Sequence, residues 1–195
     1  MSTRIPALAA LAVVASLFSA CAAADHGEEA GELRDALRAL PGVEDVTLHY
    51  DKPEALDAAD VNLAVVMTEE ASPQEVAAVF GVAYDGLTDA HAEEEGNLTV
   101  RYTGDELELR TFESEAVAAD VEEAAYAGAE VAIVHERVYI HVMTQEIPDS
   151  PHVESLALVR LPAGTSEKER VRVRDEVAAR YGDLSVNVDI RIRRH

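Results

Sequence analysis

Seven histidines are the first side chains to weigh. Imidazole is the commonest metal ligand and the usual acid–base group near neutral pH. His49, His135, His141 and His152 fall on or beside apolar runs. His91 lies in a polar stretch, His26 near the N-terminus, and His195 is the last residue. The runs Glu130–His135 and Val138–Met143 read as two strands joined by a tight turn at Glu136-Arg137. His135 and His141 would then approach across the hairpin and recruit Glu136, a sparse start for a metal site. Alternation along the second run puts Tyr139, His141 and Met143 together on its wetter face, where an imidazole is ordinarily solvated. The stretch His91-Ala92-Glu93-Glu94-Glu95-Gly96 gathers carboxylates at a loop tip. It lacks the alternating ligands and glycine turn of a calcium loop and reads as a solubilising charged loop. Asp105, Glu106 and Glu108 read as edge-strand charges that discourage sheet-to-sheet pairing. No catalytic residue, no metal ligand and no cofactor is therefore assigned.

Absent motifs narrow the chemistry further. There is no G-x-S-x-G, S-x-x-K, H-E-x-x-H, G-x-x-x-x-G-K-[ST] or G-x-G-x-x-G. The chain of 195 residues carries 38 acidic against 16 basic side chains, a formal charge of −22. Such a surface repels phosphate backbones, so nucleic acid is excluded as a partner. Hydrophobic residues reach 48%, enough for a packed core. Aromatic residues are 5% with no Trp, which leaves few stacking platforms for a sugar site.

The lone cysteine, Cys21, closes a three-part N-terminal segment. Met1–Arg4 is short and polar with one cation, Ile5–Phe18 is apolar apart from Pro6 and Ser16, and Ser19-Ala20-Cys21-Ala22 is a run of small residues. That is the plan of an export signal over residues 1–20. The stretch Leu17-Phe18-Ser19-Ala20-Cys21 resembles the lipobox of bacterial lipoproteins, with Phe18 where that family usually has an aliphatic residue. The resemblance implies a diacylglyceryl group on the Cys21 thiol, cleavage before it, and an anchor at the outer face of the cytoplasmic membrane. Two acyl chains hold stably, where one is marginal. Two other readings stay open. Ala22-Ala23-Ala24 offers an A-x-A site whose cleavage would release a soluble protein. The apolar run extended through Ala24 approaches the length of an uncleaved spanning helix.

Residues 21–31 are small and acidic and read as a tether. Leu33, Leu37 and Leu40 suit a helix ended by Pro41-Gly42. Val43–Tyr50 alternates, and Val61–Met67 is apolar throughout, as strands do. Ser72-Pro73-Gln74-Glu75 is a capping box with proline at the first helical position. Asn97–Tyr102 and Glu106–Phe112 read as a hairpin turning at Gly104-Asp105. Ser114–Ala127 reads as an alanine-rich helix closed by Gly128, and Val153–Leu161 as a strand. Ser166–Glu169 opens a further helix, and Asp183–Arg193 alternates as a last strand. Ser72 and Ser166 stand 94 positions apart (166 less 72), and Val79 and Ala83 fall on Val173 and Val177 at that shift. The expected fold is α+β: two related modules, 32–112 and 113–195, in ferredoxin-like style. Their sheets would be mainly antiparallel, with helices packed on one face.

The expected function is a non-enzymatic binding or interaction module, held to the membrane by its lipid and meeting an envelope protein. The alternatives are an extracellular metal-dependent enzyme using dispersed His and acidic residues, or a soluble secreted protein. Arg191, Arg193 and Arg194 invert the local charge at the C-terminus. They either pair with acidic neighbours or touch anionic lipid. Replacing Cys21 by Ser is expected to abolish the glyceride and to release or leave unprocessed the chain. Membrane fractionation and intact-mass measurement read both effects.

Overall fold

The computed structural model describes residues 25–52, 59–112, 114, 116–144 and 153–193. Cys21 and the export segment, His152, Arg194 and His195 lie outside the described residues. The elements in chain order are α1 (Gly27–Arg38), β1 (Val43–Asp51), β2 (Asp60–Met67), α2 (Pro73–Asp89), β3 (Glu95–Tyr102) and β4 (Asp105–Thr111). They continue with α3 (Ala118–Val134), β5 (Val138–Met143), β6 (Glu154–Leu161), α4 (Glu167–Tyr181) and β7 (Ser185–Ile192).

Local chemistry sets most of these boundaries. Ser72 Oγ accepts the Glu75 N–H at 3.3 Å, and the Glu75 carboxylate accepts the Ser72 N–H at 2.7 Å, closing the capping box of α2. Accepting that backbone N–H holds the Glu75 carboxyl below its ordinary value. Ser166 caps α4 through the Glu169 N–H at 3.2 Å. Between β3 and β4 the turn residues are Thr103 and Gly104, with φ +53° and +86°. Two successive left-handed residues make the tight turn whose twist matches a hairpin.

The seven strands form one sheet in sequential order, β1 to β7. β1–β2, β3–β4 and β5–β6 are antiparallel, while β2–β3, β4–β5 and β6–β7 are parallel. Each parallel pair is bridged by one helix. All three crossovers advance in the same direction across the sheet, but β4 and β5 run opposite to the other two parallel pairs, so the α3 crossover takes the opposite hand from those of α2 and α4 and all three helices share one face. α1 joins them beside α2. One apolar row crosses the whole sheet beneath the helices: Val46, Val65, Val100, Leu107, Ile140, Ala157 and Val188. All of it but Val188, which packs half-buried against the rest, belongs to a single buried cluster that also holds Leu33 and Leu37 of α1, Phe80 of α2, Val121 and Val131 of α3, and Val177 of α4.

The α+β class and the helices on one face are as expected; the sheet is mixed, with as many parallel as antiparallel pairings. β4 and β5 pair across the boundary expected at 112/113, so one sheet and one core run through both halves. The chain reads as α-β-β units, whose helices begin at Gly27, Pro73, Ala118 and Glu167. The 94-residue echo therefore spans two such units.

Three expectations are corrected locally. Glu130–His135 is not a strand: α3 continues through it to Val134. A short apolar run carries no period that distinguishes strand from helix. Gly128 does not close α3 but lies inside it. A Cβ there would stand 2.9 Å from Ile140 Cγ2 and 3.3 Å from the Tyr181 hydroxyl, so the glycine lets α3 settle onto β5. The helix α1 starts at Gly27, within the stretch expected as tether, because Ala30 is buried on its inner face.

These contacts set a paired expectation for stability. Gly128→Val is expected to cost about 1–3 kcal/mol by overpacking against Ile140. Gly31 has nothing within 4 Å of its would-be Cβ, so Gly31→Ala is expected to add about 0.5–1 kcal/mol of helix stability. Urea unfolding of the two variants measures both.

Candidate binding face

The face of the sheet away from the helices carries no secondary-structure element among the described residues. Its central row runs Thr47, Ala64, Thr99, Glu108, His141, Leu156 and Asn187 across all seven strands. A second row runs Asp45, Val66, Arg101, Glu106, Tyr139, Leu158 and Asp189. Strand alternation places these side chains opposite the core row. Polar and charged residues dominate, which is how a sheet face meets water. The exception is a cluster on β5 and β6: Tyr139, Met143, Leu156 and Leu158. Leu158 is only 7% exposed although it points away from the helical layer.

Tyr139 and His141 sit at the centre of this face. The Tyr139 hydroxyl donates to Glu108 Oε2 at 2.5 Å. Burial first, and then the neighbouring carboxylate, push the Tyr139 phenol up to about 12. The His141 ring lies 6.4 Å from that of Tyr139. Burial holds the His141 imidazole below its ordinary value, and its Nε2 is enclosed without a hydrogen-bond partner. Two concavities open on the same face. One of about 560 Å³ is lined by Arg101, Arg137, Tyr139, Leu158 and Arg160 among others. A smaller one of about 250 Å³ lies between Asn62, Asn97, Glu108 and Arg110.

The residues weighed for metal chemistry are dispersed. His141 belongs to the bare face, whereas His135 caps the C-terminal end of α3 on the helical side. There its Nε2 lies 3.9 Å from Glu176 Oε1 of α4. Burial holds the His135 imidazole below its ordinary value. Glu136 points to solvent, its nearest cation being Arg193 at 3.9 Å. His49 is exposed beside Asp51 at 3.3 Å. Among the described residues, no three His, Cys, Asp or Glu side chains come together as a metal would require. β4 is a central strand, not an edge, which corrects the reading of its acidic residues. Glu106 and Glu108 lie on the bare face. Asp105 is buried, and its Oδ1 accepts the Val138 N–H at 2.9 Å, tying β4 to the start of β5. Burial raises the Asp105 carboxyl, and that hydrogen bond partly offsets the rise.

The charged loop hides a second constellation. Glu93 and Glu95 are exposed, but His91 and Glu94 turn inward and are 1% and 6% exposed. His91 Nδ1 is hydrogen-bonded to Glu94 Oε2. The Tyr50 hydroxyl donates to Glu94 Oε1 at 3.2 Å and accepts the His26 N–H at 2.9 Å. The His26 ring meets that of His91 edge-on at 5.8 Å. This network ties α1, β1 and the α2–β3 loop into one end of the sheet. Its trace in the sequence was the His91/Glu94 spacing, hidden because Glu94 is flanked by Glu93 and Glu95.

The chain matches no family model and no curated protein sequence. Among the described residues no helix is long and apolar enough to cross a membrane.

Removing one member of a buried hydrogen-bonded pair leaves the other's polar atoms unsatisfied. His91→Ala is therefore expected to destabilise the fold by about 1–3 kcal/mol, read by chemical denaturation. Two half-buried imidazoles, His135 and His141, set a pH dependence. Unfolded, His135 and His141 bind protons below about pH 6.5; folded, they resist until lower pH. The unfolded state then holds more protons, and stability falls as acid is added through that window. The loss between pH 7 and pH 5.5 is expected to be smaller in the double variant His135→Gln, His141→Gln, as followed by urea titration at each pH.

Proposed function

We propose that the protein is a lipid-anchored, non-enzymatic binding module at the outer face of the cytoplasmic membrane. In this reading its bare sheet face meets an envelope protein. The observation that carries it is the division of labour in the sheet. Four helices and the apolar row of one face make the core, while the other face is ordered, unused by that core and, among the described residues, not covered by any secondary-structure element. A bare face with Tyr139, Met143, Leu156 and Leu158 set among charged residues has the composition of a contact surface, an apolar centre in a polar rim.

The lipid part of the reading rests on the lipobox-like Leu17–Cys21, and the orientation follows from chain length. From Cys21 to Asp25 the chain spans at most about 14 Å. Asp25 is bound to Lys52 at 2.5 Å, at the end of the sheet where β1 finishes and β2 and β3 begin. That end carries Glu28, Glu29, Asp51, Asp60 and Glu95, which anionic headgroups repel. The sheet would then stand off the bilayer with its strands rising away from it. Arg191 and Arg193 sit at the far end, which favours pairing with protein carboxylates over contact with lipid. Arg191 Nε donates to Asp189 Oδ2 at 2.8 Å, in keeping with that choice. Processing after Ala24, instead of before Cys21, would present the same face from a soluble protein. The reading of 32–112 and 113–195 as duplicated modules is retained as a proposal about origin, supported by the paired capping serines Ser72 and Ser166.

The test uses the full chain in the producing cell, with a photo-crosslinking residue at Asn97 or Asn187 on the bare face, or at Asp175 on α4. The expected result is a discrete adduct with one envelope protein from the bare-face positions and none from Asp175. Equal labelling from α4, or no adduct from either bare-face position, would overturn the reading.

A further inference from the structure

The larger concavity of the bare face has a chemistry of its own. Arg101, Arg137 and Arg160 line it, together with Val138, Tyr139 and Leu158. Three guanidiniums in one hollow are unexpected in a chain with 38 acidic side chains and 16 basic ones. Carboxylates are in such surplus that each arginine could have a partner. At this corner the ion pairs are Arg101 with Glu106 at 3.6 Å, Arg191 with Asp189 at 2.8 Å and Arg193 with Glu136 at 3.9 Å. Arg137 and Arg160 have no carboxylate within 4.0 Å among the described residues. Arg110 also lacks one, but it shares its hollow with Glu95 and Glu108 and with no second arginine. The other acidic residues lining the larger hollow are engaged. Asp105 accepts the Val138 N–H, and Glu106 faces Arg101.

Arg137 adds a second, independent observation. Its φ is +62°, in the left-handed region that favours glycine. Of the five other positive-φ positions the chain puts glycine at four, Gly42, Gly104, Gly164 and Gly182, the fifth being the hairpin residue Thr103. At 137 it keeps a long cation despite the backbone strain. Strain held against local preference marks positions where the side chain is used. The Arg137 carbonyl accepts the Arg160 N–H at 3.3 Å, which fixes the two arginines side by side on adjoining segments.

We infer that this hollow binds a small organic anion, with a carboxylate or phosphate between Arg137 and Arg160 and an apolar body against Leu158, Val138 and Tyr139. Arginine forks suit both anions and bind them by paired N–H donors. Its volume of about 560 Å³ is in the range of small-molecule sites. The charge of the whole molecule limits the ligand. A polyanion would extend past the arginines into the field of a protein of charge −22. A ligand with one or two charges stays within about one Debye length, 8 Å, of the guanidiniums, where they dominate. This inference concerns one hollow and stands whether or not Cys21 is lipidated or the rest of the face meets a protein.

The test is isothermal titration of the full chain in a neutral detergent, against detergent alone, with benzoate, phenyl phosphate and inorganic phosphate as probes. The expected result is saturable one-to-one binding of at least one aromatic anion, weakened by about tenfold or more in Arg160→Gln. Benzoate against phenyl phosphate tells which anion the arginines prefer. Inorganic phosphate is expected to bind at least about tenfold more weakly than phenyl phosphate, because it has nothing to lay on Leu158. Arg137→Gly separates use from structure: it relieves the left-handed backbone, so the melting temperature should not fall while anion binding is lost. Arg191→Gln, outside the hollow, should bind as the parent does. No saturable binding of either aromatic anion would overturn the inference, as would affinity unchanged in both Arg160→Gln and Arg137→Gly. Equal affinity for inorganic and phenyl phosphate would overturn its apolar half.

Discussion

One core shared by three crossover helices governs this molecule. Each of α2, α3 and α4 bridges a parallel pair of neighbouring strands, and each crossover steps the same way along the sheet. Because β4 and β5 run opposite to the other two parallel pairs, a common hand would split the helices between the two faces; the α3 crossover instead takes the opposite hand, and the shared core holds all three on one side. One face of the sheet is roofed, and the other carries no layer among the described residues. The core therefore has seven strands under one helical layer, and its stability rests on how closely that layer sits. α3 lies at the middle of it, between α2 and α4, and is built for closeness. Its inner positions are Val121, Ala124, Ala125, Ala127, Gly128, Ala129, Val131 and Ala132, nearly all small.

Several elements were legible in the chain alone because their signals are local. The Ser72–Glu75 box, the proline after Ser72 and the alternation of Val186, Val188, Ile190 and Ile192 need no distant partner to be read. Pairing was not legible, since parallel and antiparallel strands can share the same alternation, and β4 meets β5 only after α3 has passed between them in sequence. Gly128 illustrates the same limit. A glycine after an alanine-rich helix reads as a stop, yet its reason is Ile140, twelve residues on and in another layer. Glu130–His135 followed from that error. The 94-residue echo joins α2 to α4, which share capping serines, and passes over α3, which begins after Val117 without a side-chain cap.

The chemistry-bearing residues divide in the same way. Alternation correctly put Tyr139, His141 and Met143 on one face, because a strand's period survives any pairing. It could not say that Glu108 would lie beside Tyr139, or that His135 would stay with the helices. Glu94 was unreadable for an electrostatic reason: among three consecutive glutamates nothing local tells which one is buried. The burial is decided by Tyr50 and His91, which reach it from β1 and the α2–β3 loop. The arginines were countable but not assignable. Arg101, Arg137 and Arg160 stand on three separate segments and meet only because β3, β4, β5 and β6 are neighbours in one sheet.

The account depends on that sheet being a single cooperative body with one core. Native-state hydrogen exchange of the full chain with rising denaturant tests this directly. The account predicts that the slowest amides of Leu98 and Leu107 in the first half, and of Ile140 and Val159 in the second, converge on one opening free energy and one denaturant dependence. Two separate limits, one for each half of the chain, would contradict it.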